Sequence, residues 1–480
     1  YLTAKTSGRG VAENAIEEMR ASGLSLKSIT LTARDKICFV EPGAKSCDPE
    51  RCEFAVGYFD RVGGAIEELF QSDAFTPAAI EEAARKHSVC PFELSLDLAL
   101  WTDVIICDYN HLFDPRAYLK RFFQDGSGNY MFLIDEAHNL LDRARDIFSA
   151  DLNKKDFLAL KAAVGERDPH LSARLDEINA HFLELEKRCE AELEGAVVEN
   201  EPPADLLPRL QGFLDTAEPV LSRAPGAYKE LLFERYFDIL AFSRVAELYD
   251  QQYVTYAEKT GRDLHLRLFC RDPSARIAEA LHRGNVAVFF SATLTPLEYF
   301  RQVLGGDADD RTLDLEAPFP EENLRVLLAD AVETTFRKRE STYGEVTEAI
   351  AALTDRRRGN YMAYFPSFRY MEAVVERFAA AHPAIPIEVQ RRAMSEAERA
   401  AFLNLFRESN PQTMVGFAVM GGIFGEGIDL VGQRLVGAVV VGVGLPQICL
   451  ERDLVRHYYD STERSGFDFA YTYPGMNRVL

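Results

Sequence analysis

No uninterrupted apolar run in this chain of 480 residues approaches the roughly 18–20 residues that a membrane-spanning helix needs. The N-terminus carries no signal peptide, and its lack of an initiator Met predicts a fragment. Cysteine is scarce: eight in a chain of this length are too few for a disulfide scaffold. Four of them fall within the first 90 residues, which fits a metal site in a reducing cytoplasm better. Excess positive charge is missing too. The formal net charge of −22 argues mildly against nucleic acid, because phosphate contacts need Lys and Arg. A groove needs only local positive charge, however, and residues 151–250, with 21 acidic and 12 basic residues, hold −9 of the total. The basic clusters Arg337-Lys338-Arg339, Arg356-Arg357-Arg358 and Arg391-Arg392 read first as solvated surface. There is no solenoid repeat and no low-complexity tract. What is present is a globular composition, 47% hydrophobic and 27% charged, at a length that predicts about three domains.

The most informative run is Met131-Phe132-Leu133-Ile134-Asp135-Glu136-Ala137-His138. Four apolar residues of the kind that form a buried parallel strand deliver two carboxylates to the strand's C-terminal end, where open α/β sheets bind ligands. An aspartate there can hold magnesium through water, while a neighbouring glutamate orients or deprotonates an attacking water. The alternative is an acidic helix N-terminus favoured by the helix dipole, and the run by itself leaves both open. A second run, Val286–Phe290, reads as a buried strand ending in Ser291-Ala292-Thr293-Leu294. Further on, Gly421-Gly422-Ile423-Phe424-Gly425-Glu426-Gly427-Ile428-Asp429 is a glycine-rich turn bearing two acids, and Tyr1-Leu2-Thr3-Ala4-Lys5-Thr6 is a short strand entering a loop with hydroxyls and a lysine.

Residues 1–35 read as strand, helix, strand (1–4, 11–21, 28–33). Residues 36–92 break this rhythm with cysteine, glycine and proline, and parallel patterning resumes at 103–108 and 130–134. Leu171, Leu175, Ile178, Phe182, Leu185 and Cys189 alternate steps of four and three, one face of a helix. A second helix is expected over 228–249, with residues 201–208 as a connector. The sheet returns at 284–290, followed by a helix over 296–304. After Pro318 a second α/β repeat is predicted, with strands at 326–328, 360–365, 385–389, 413–419 and 435–441.

Cys38, Cys47, Cys52 and Cys90 are separated by 8, 4 and 37 residues. Four thiolates can hold zinc or the corners of a 4Fe–4S cluster. Zinc sites favour two close pairs, and here only Cys47 and Cys52 are close. By spacing, a metal and unliganded buried cysteines both stay open. Cys107, Cys189, Cys270 and Cys449 stand in apolar contexts and read as core residues.

In their order along the chain, the segments at 1–6, 131–138, 291–294 and 421–429 resemble motifs Ia, II, III and V of a superfamily 2 helicase, of the iron–sulfur XPD/DinG-like family. Cys90-Pro91-Phe92-Glu93-Leu94-Ser95-Leu96, followed by the run from Asp103 to Pro115, resembles the segment that closes the iron–sulfur domain there. The resemblance covers nearly the whole chain except most of 150–270. It implies an α/β fold with two RecA-like parallel-sheet motor domains. The first would comprise 1–35, 93–149 and 271–317, interrupted by an iron–sulfur module at 36–92 and a helical arch at 150–270; the second, C-terminally truncated, would comprise 318–480.

The same resemblance implies roles. Asp135 would bind magnesium, Glu136 would activate the hydrolytic water, and His138 would link nucleotide state to the sheet. Ser291 and Thr293 would couple the nucleotide site to strand separation, although hydroxyls capping the next helix would look the same. Gly427 and Asp429 would face the nucleotide, with Glu426 fixing the loop. Thr3, Lys5, Thr6 and Ser367 would contact nucleic-acid phosphates; a helix cap is an equal reading of Ser367. Cys38, Cys47, Cys52 and Cys90 would ligate a 4Fe–4S cluster, and ATP with Mg²⁺ would be bound. Two departures stand out: the chain has no Gly-x-x-x-x-Gly-Lys-Ser/Thr phosphate loop and no Gln-x-x-Gly-Arg-x-x-Arg of motif VI. Both fall at the ends, as truncation predicts, so the fragment itself is expected to be inactive. The expectation is therefore an ATP-dependent helicase moving 5′→3′ on single-stranded DNA and opening duplex junctions, monomeric, not membrane-bound, cytoplasmic and nucleoid-associated in a prokaryote. The rivals are a single-strand translocase that remodels protein–DNA complexes, and a non-enzymatic iron–sulfur scaffold that binds nucleic acid.

Overall fold

The chain enters through the middle of a parallel sheet. In the computed structural model the residues described are 1–4, 6–40, 47, 49–50, 52–116, 119–123, 128–221, 226–462 and 464–479, without the side chains of residues 6, 7, 226 and 227. Strands β1 (Ser28–Thr30), β2 (Ala74–Phe75), β3 (Val104–Ile106) and β4 (Met131–Ile134) are followed by β5 (Ala150–Asn153), β6 (Ala196–Glu199), β7 (Tyr253–Thr260) and β8 (Asp263–Cys270), and then by β9 (Val286–Phe289). The parallel strands pair as β2-β1-β3 and as β4-β9. Leu2 joins the two sets, bridging Cys107 on one side and Ile134 on the other. The Leu2 amide donates to the Leu133 carbonyl at 2.7 Å, the Thr3 amide to the Cys107 carbonyl at 3.0 Å, and the Asp135 amide to the Leu2 carbonyl at 2.9 Å. Because every strand runs the same way, Thr3, Cys107, Asp135 and Phe290 all emerge at one edge.

Two compact units divide the chain: Tyr1–Ala292 with Phe300–Ala308, and Thr293–Tyr299 with Asp309–Leu480. In the first, residues 58–99 form the helices Tyr58–Leu69, Pro77–His87 and Pro91–Ala99. Ala65, Leu69, Ile80, Ala83, Ala84, Leu94 and Leu98 are buried among them. Thr76 caps the second helix and Pro91 opens the third. Strand β2 lies inside the segment expected to be a separate module and pairs with β1, so that segment is stitched into the sheet. Lys27 fastens the same joint, its ammonium donating to the carbonyls of Phe70 and Ser72 and to Asp73 at 2.9 Å.

The helix Pro169–Ala191 buries all six residues that the spacing predicted, with Asp168 as N-cap. Residues 226–247 form the other expected helix, but Lys154–Val164 and Leu207–Leu221 add two more. A four-stranded antiparallel sheet, β5-β8-β7-β6, was not expected in a helical arch. The ends of this insertion meet: β5 pairs with β8, and the Cys270 amide donates to the Ser149 hydroxyl at 3.0 Å in a buried setting. Strand β9 departs from the fully buried strand expected. Among the described residues it pairs with β4 alone, and Val286 (47%), Val288 (42%) and Phe290 (36%) are exposed along one face.

In the second unit β10 (Asn360–Phe365), β11 (Ile387–Val389), β12 (Met414–Val419) and β13 (Gly437–Val440) form a parallel sheet in the order β11-β12-β10-β13, with Asn360 opposite Met414 and Phe365 opposite Val419. Ile350, Phe365, Tyr370, Val374, Phe378 and Phe417 fill one face. The strand expected at 326–328 does not form. Val326, Leu327 and Leu328 are exposed and pair with no strand among the described residues, so the apolar run has neither ladder nor cover. No helix among the described residues is long and apolar enough to cross a membrane.

Candidate active site

Asp135 follows β4 directly, and both its carboxylate oxygens are engaged. One accepts from the Tyr1 phenol at 2.6 Å and the other from the Glu136 amide at 2.8 Å. Burial first, then the bond to Asp135, holds the Tyr1 phenol well above the usual tyrosine range, so it stays a donor. A carboxylate offers about four lone-pair sites, and the half-buried Asp135 therefore keeps acceptor capacity for the waters of a magnesium ion.

Glu136 turns the chain with φ +48° and ψ +44°. Its carboxylate accepts from the Ser291 hydroxyl at 3.2 Å, and Ser291 Oγ lies 2.7 Å from His138 Nδ1. With the hydroxyl proton on Glu136, Ser291 accepts from a protonated Nδ1, which gives a chain from His138 through Ser291 to Glu136. His138 is nearly buried. Ser291 therefore bonds to the acidic turn, and the adjoining Phe290 carbonyl accepts from the Ala137 amide at 3.2 Å. Thr293, two residues on, accepts at its carbonyl from the Thr295 amide at 2.8 Å. Tyr109, buried after β3, donates from its hydroxyl to the carbonyls of Asp135 and Glu136. No residue pattern had singled out Tyr109 or the Tyr1 phenol.

The residues expected to touch phosphates fare unevenly. Thr3 is fully buried, packed beneath Gly8 of the helix Thr6–Ala21, which removes its side chain from the contact expected of it. Lys5 lies outside the described residues, as does the side chain of Thr6. Ser367 caps the helix Phe368–Ala381, accepting from the Tyr370 amide at 3.3 Å. In the glycine-rich loop, Gly427 takes φ +66°, which only glycine adopts freely. Three side chains from neighbouring elements pin that loop by its carbonyls: Tyr364 on Phe424 at 3.0 Å, Arg399 on Gly427 at 3.1 Å, and Arg434 on Asp429 at 3.3 Å. Glu426 is half-buried, whereas Gly427 and Asp429 are exposed.

Cys38 and Cys47 are exposed, and Cys52 and Cys90 half-buried. Burial pushes the Cys47 thiol up; Arg34 opposes this, and Cys52 and Cys38 reinforce it by like charge. Burial also raises the Cys90 thiol, with Cys38 among the charges it feels. Thiols have the donor chemistry for iron or zinc, and Cys47 feels Cys52 and Cys38, while Cys90 feels Cys38. Among the described residues, which include all four cysteines, no group of three or more His, Cys, Asp or Glu side chains is placed to hold a metal ion. Cys107 is buried at the sheet, its thiol pushed up to about 11 by desolvation, as befits a core residue. Nearby, Arg34 and the helix Gly226–Glu247 line a cavity of about 580 Å³ with Phe233, Arg235 and Phe237. Phe233 and Phe237 lie 4.5 Å apart, and Phe237 is 49% exposed.

The sequence matches the DEAD_2 family over residues 11–157 and the helicase C-terminal domain family over residues 350–480. It is 21% identical over 449 residues to the ATP-dependent DNA helicase CHL1 of Meyerozyma guilliermondii, covering 83% of this chain and 54% of that protein. To the general transcription and DNA repair factor IIH helicase subunit XPD of Schizosaccharomyces pombe it is 22% identical, over 79% of this chain and 59% of that protein. The chain spans about half the length of the curated relatives it matches. A solved XPD helicase structure superposes with a TM-score of 0.60 at 16% identity, covering 100% of this chain and 83% of that one, a likeness of fold. The two family matches and these relatives, with the ordered motifs, support an XPD/DinG-like superfamily 2 helicase, and the parallel sheets share its fold.

Proposed function

We propose that the protein containing this chain is an ATP-dependent DNA helicase that moves 5′→3′ along single-stranded DNA and opens duplex junctions. One observation carries the reading: at the C-terminal edge of a parallel sheet, just after β4 and β9, hydrogen bonds join the Glu136 carboxylate to Ser291 and His138, with the Asp135 carboxylate beside them on the Glu136 amide. Glu136 orients and deprotonates the attacking water. Asp135 would hold magnesium through water, which would supply positive charge beside the transferring phosphate. The chain from Glu136 through Ser291 to His138 gives the sheet a way to register a change at the hydrolytic carboxylate. Gly427 and Asp429 serve nucleotide binding, with Glu426 fixing their loop, and Thr293 serves the coupling with Ser291.

Residues 36–92 serve as the iron–sulfur module, with Cys38, Cys47, Cys52 and Cys90 holding a 4Fe–4S cluster. Residues 150–270 serve as the arch, and 318–480 belong to the second motor domain. The single strand passes along the cavity lined by Arg34, Arg235, Glu234, Asp238 and the aromatic pair Phe233 and Phe237, the rings offering faces on which bases stack. Lys5, Thr6 and Ser367 contact its phosphates.

The test is Glu136→Gln in the full-length protein. Steady-state turnover of ATP is expected to vanish, leaving only a residual single-turnover rate, while nucleotide binding persists, because the amide keeps the shape and removes the charge that orients water. Asp135→Asn should weaken magnesium-dependent binding as well. Undiminished hydrolysis by Glu136→Gln would end this assignment, and fork DNA added to the same assay separates unwinding from bare translocation.

A further inference from the structure

The acidic turn is bent against the preference of its residue. Glu136 occupies the left-handed region, which a long L side chain rarely adopts. Among the described residues Ser88 is the other non-glycine case, and it ends a helix, where that conformation is ordinary. Four contacts at the turn tie Glu136 or its neighbour to adjoining atoms: the Glu136 amide on Asp135 Oδ1, the Ala137 amide on the Phe290 carbonyl, the Asn139 amide on the Glu136 carbonyl at 2.9 Å, and Ser291 on the Glu136 carboxylate.

The Tyr109 hydroxyl differs from these in reaching two successive carbonyls of the turn. It bonds to the carbonyl of Asp135 and, at 3.0 Å, to that of Glu136. Successive carbonyls face opposite ways in extended backbone. They converge where the chain coils, and the left-handed coil at Glu136 aims both at the fully buried Tyr109. Relaxation of Glu136 to a commoner conformation would part the two carbonyls from the phenol and swing the carboxylate away from Ser291.

We propose that Tyr109 is the positioning residue for Glu136, its hydroxyl holding the left-handed turn that keeps the carboxylate aimed at the attacking water. This rests on the hydrolytic reading of Glu136 given above.

The experiment compares wild type, Tyr109→Phe, Glu136→Gln and the double variant. In the full-length protein, Tyr109→Phe should lower kcat for ATP roughly 3- to 10-fold, the equivalent of one buried hydrogen bond. The KM for ATP should stay within about twofold, because no nucleotide contact is lost. In the Glu136→Gln background the same change should cost the residual rate less than about twofold, since coupled residues are non-additive. In the chain itself, amide exchange at Glu136 and Ala137 should quicken by roughly 3- to 10-fold while Leu133 and Ile134 hold their rates. An unchanged kcat and unchanged exchange in Tyr109→Phe, beside an inactive Glu136→Gln, would overturn the positioning role alone. Equal losses in both backgrounds would also overturn it. Normal turnover by Glu136→Gln would overturn the hydrolytic reading and this proposal with it, even if exchange at the turn had quickened.

Discussion

Gly8 and Gly10 stand two residues apart in the helix Thr6–Ala21, and replacing each by Ala should move stability in opposite directions. Either change gains helix propensity, about 1 kcal/mol for Gly to Ala. A Cβ at Gly10 meets nothing within 4 Å, so most of that gain is realised and Gly10→Ala should stabilise by about 0.5–1 kcal/mol. A Cβ at Gly8 would overlap Thr3 Oγ1, with Thr3 Cβ at 3.2 Å and Asp135 Oδ2 at 3.0 Å. Thr3 cannot step aside. It is fully buried, its amide is committed to the Cys107 carbonyl, and rotating χ1 leaves its Cβ at the same 3.2 Å. Overpacking of a fixed neighbour costs about 1–3 kcal/mol and sometimes more, so Gly8→Ala should destabilise by about 1–2 kcal/mol after the propensity gain. Trp101, the chain's single tryptophan, lies in the first unit, so its fluorescence during urea unfolding reports that unit alone. At ~2–4 °C per kcal/mol for a domain of this size, thermal midpoints should separate by ~3–12 °C between the two variants. Gly8→Ala as stable as wild type, or Gly10→Ala less stable, would refute the packing of helix on strand described above.

Changing Cys38, Cys47, Cys52 or Cys90 to Ser should abolish the broad absorbance near ~400 nm of anaerobically purified protein, whereas Cys107→Ser should keep it; colourless wild type with stoichiometric zinc would disprove iron–sulfur ligation. The same Ser variants should gain protease sites only before Tyr58, since the three helices over 58–99 have their own buried residues; new cleavage within 58–99 would show that the metal folds the whole segment. Excising 150–270 and joining Ser149 to Arg271 by a short Gly/Ser linker should leave the parallel sheet folded, because those ends already meet, and circular dichroism with Trp101 emission would expose a failure. In the full-length protein, Ser291→Ala should lower base pairs opened per ATP more than it lowers ATP turnover, and an unchanged ratio would deny Ser291 a coupling role.

Much of the architecture could be read from apolar runs and what ends them. Met131–Ile134 and Asn360–Phe365 are flanked on both sides by partners, so their near-continuous hydrophobicity matches the places they occupy. The helix at 169–191 was legible because its apolar residues repeat at the helical period. Strand β2 was not, being two residues long with no pattern to show. The hairpin of β7 and β8 was missed although its signal was present: Leu264, Leu266 and Leu268 alternate with His265 and Arg267 after a turn at Gly261, which takes φ +64°. The helical reading of the surrounding segment overrode that alternation.

At the site, the residues whose chemistry is in their side chains, Asp135, Glu136, His138 and Ser291, were all marked beforehand by type and by position at strand ends. Those that act on backbone were not. Tyr109 grips two carbonyls, Arg399 and Arg434 hold the glycine-rich loop by its carbonyls, and Tyr364 does the same at Phe424. A carbonyl is offered by every residue, so the partner of such a donor has no signature in sequence, and the donor looks like any core tyrosine or surface arginine. Thr3 failed for the converse reason. Its hydroxyl had the right type for a phosphate contact, but the parallel neighbours of residues 1–3 and the approach of Gly8 bury it, and neither is written in residues 1–6. A side chain's chemistry follows from its type, but whether ligand, backbone or core receives it depends on what the fold sets against it.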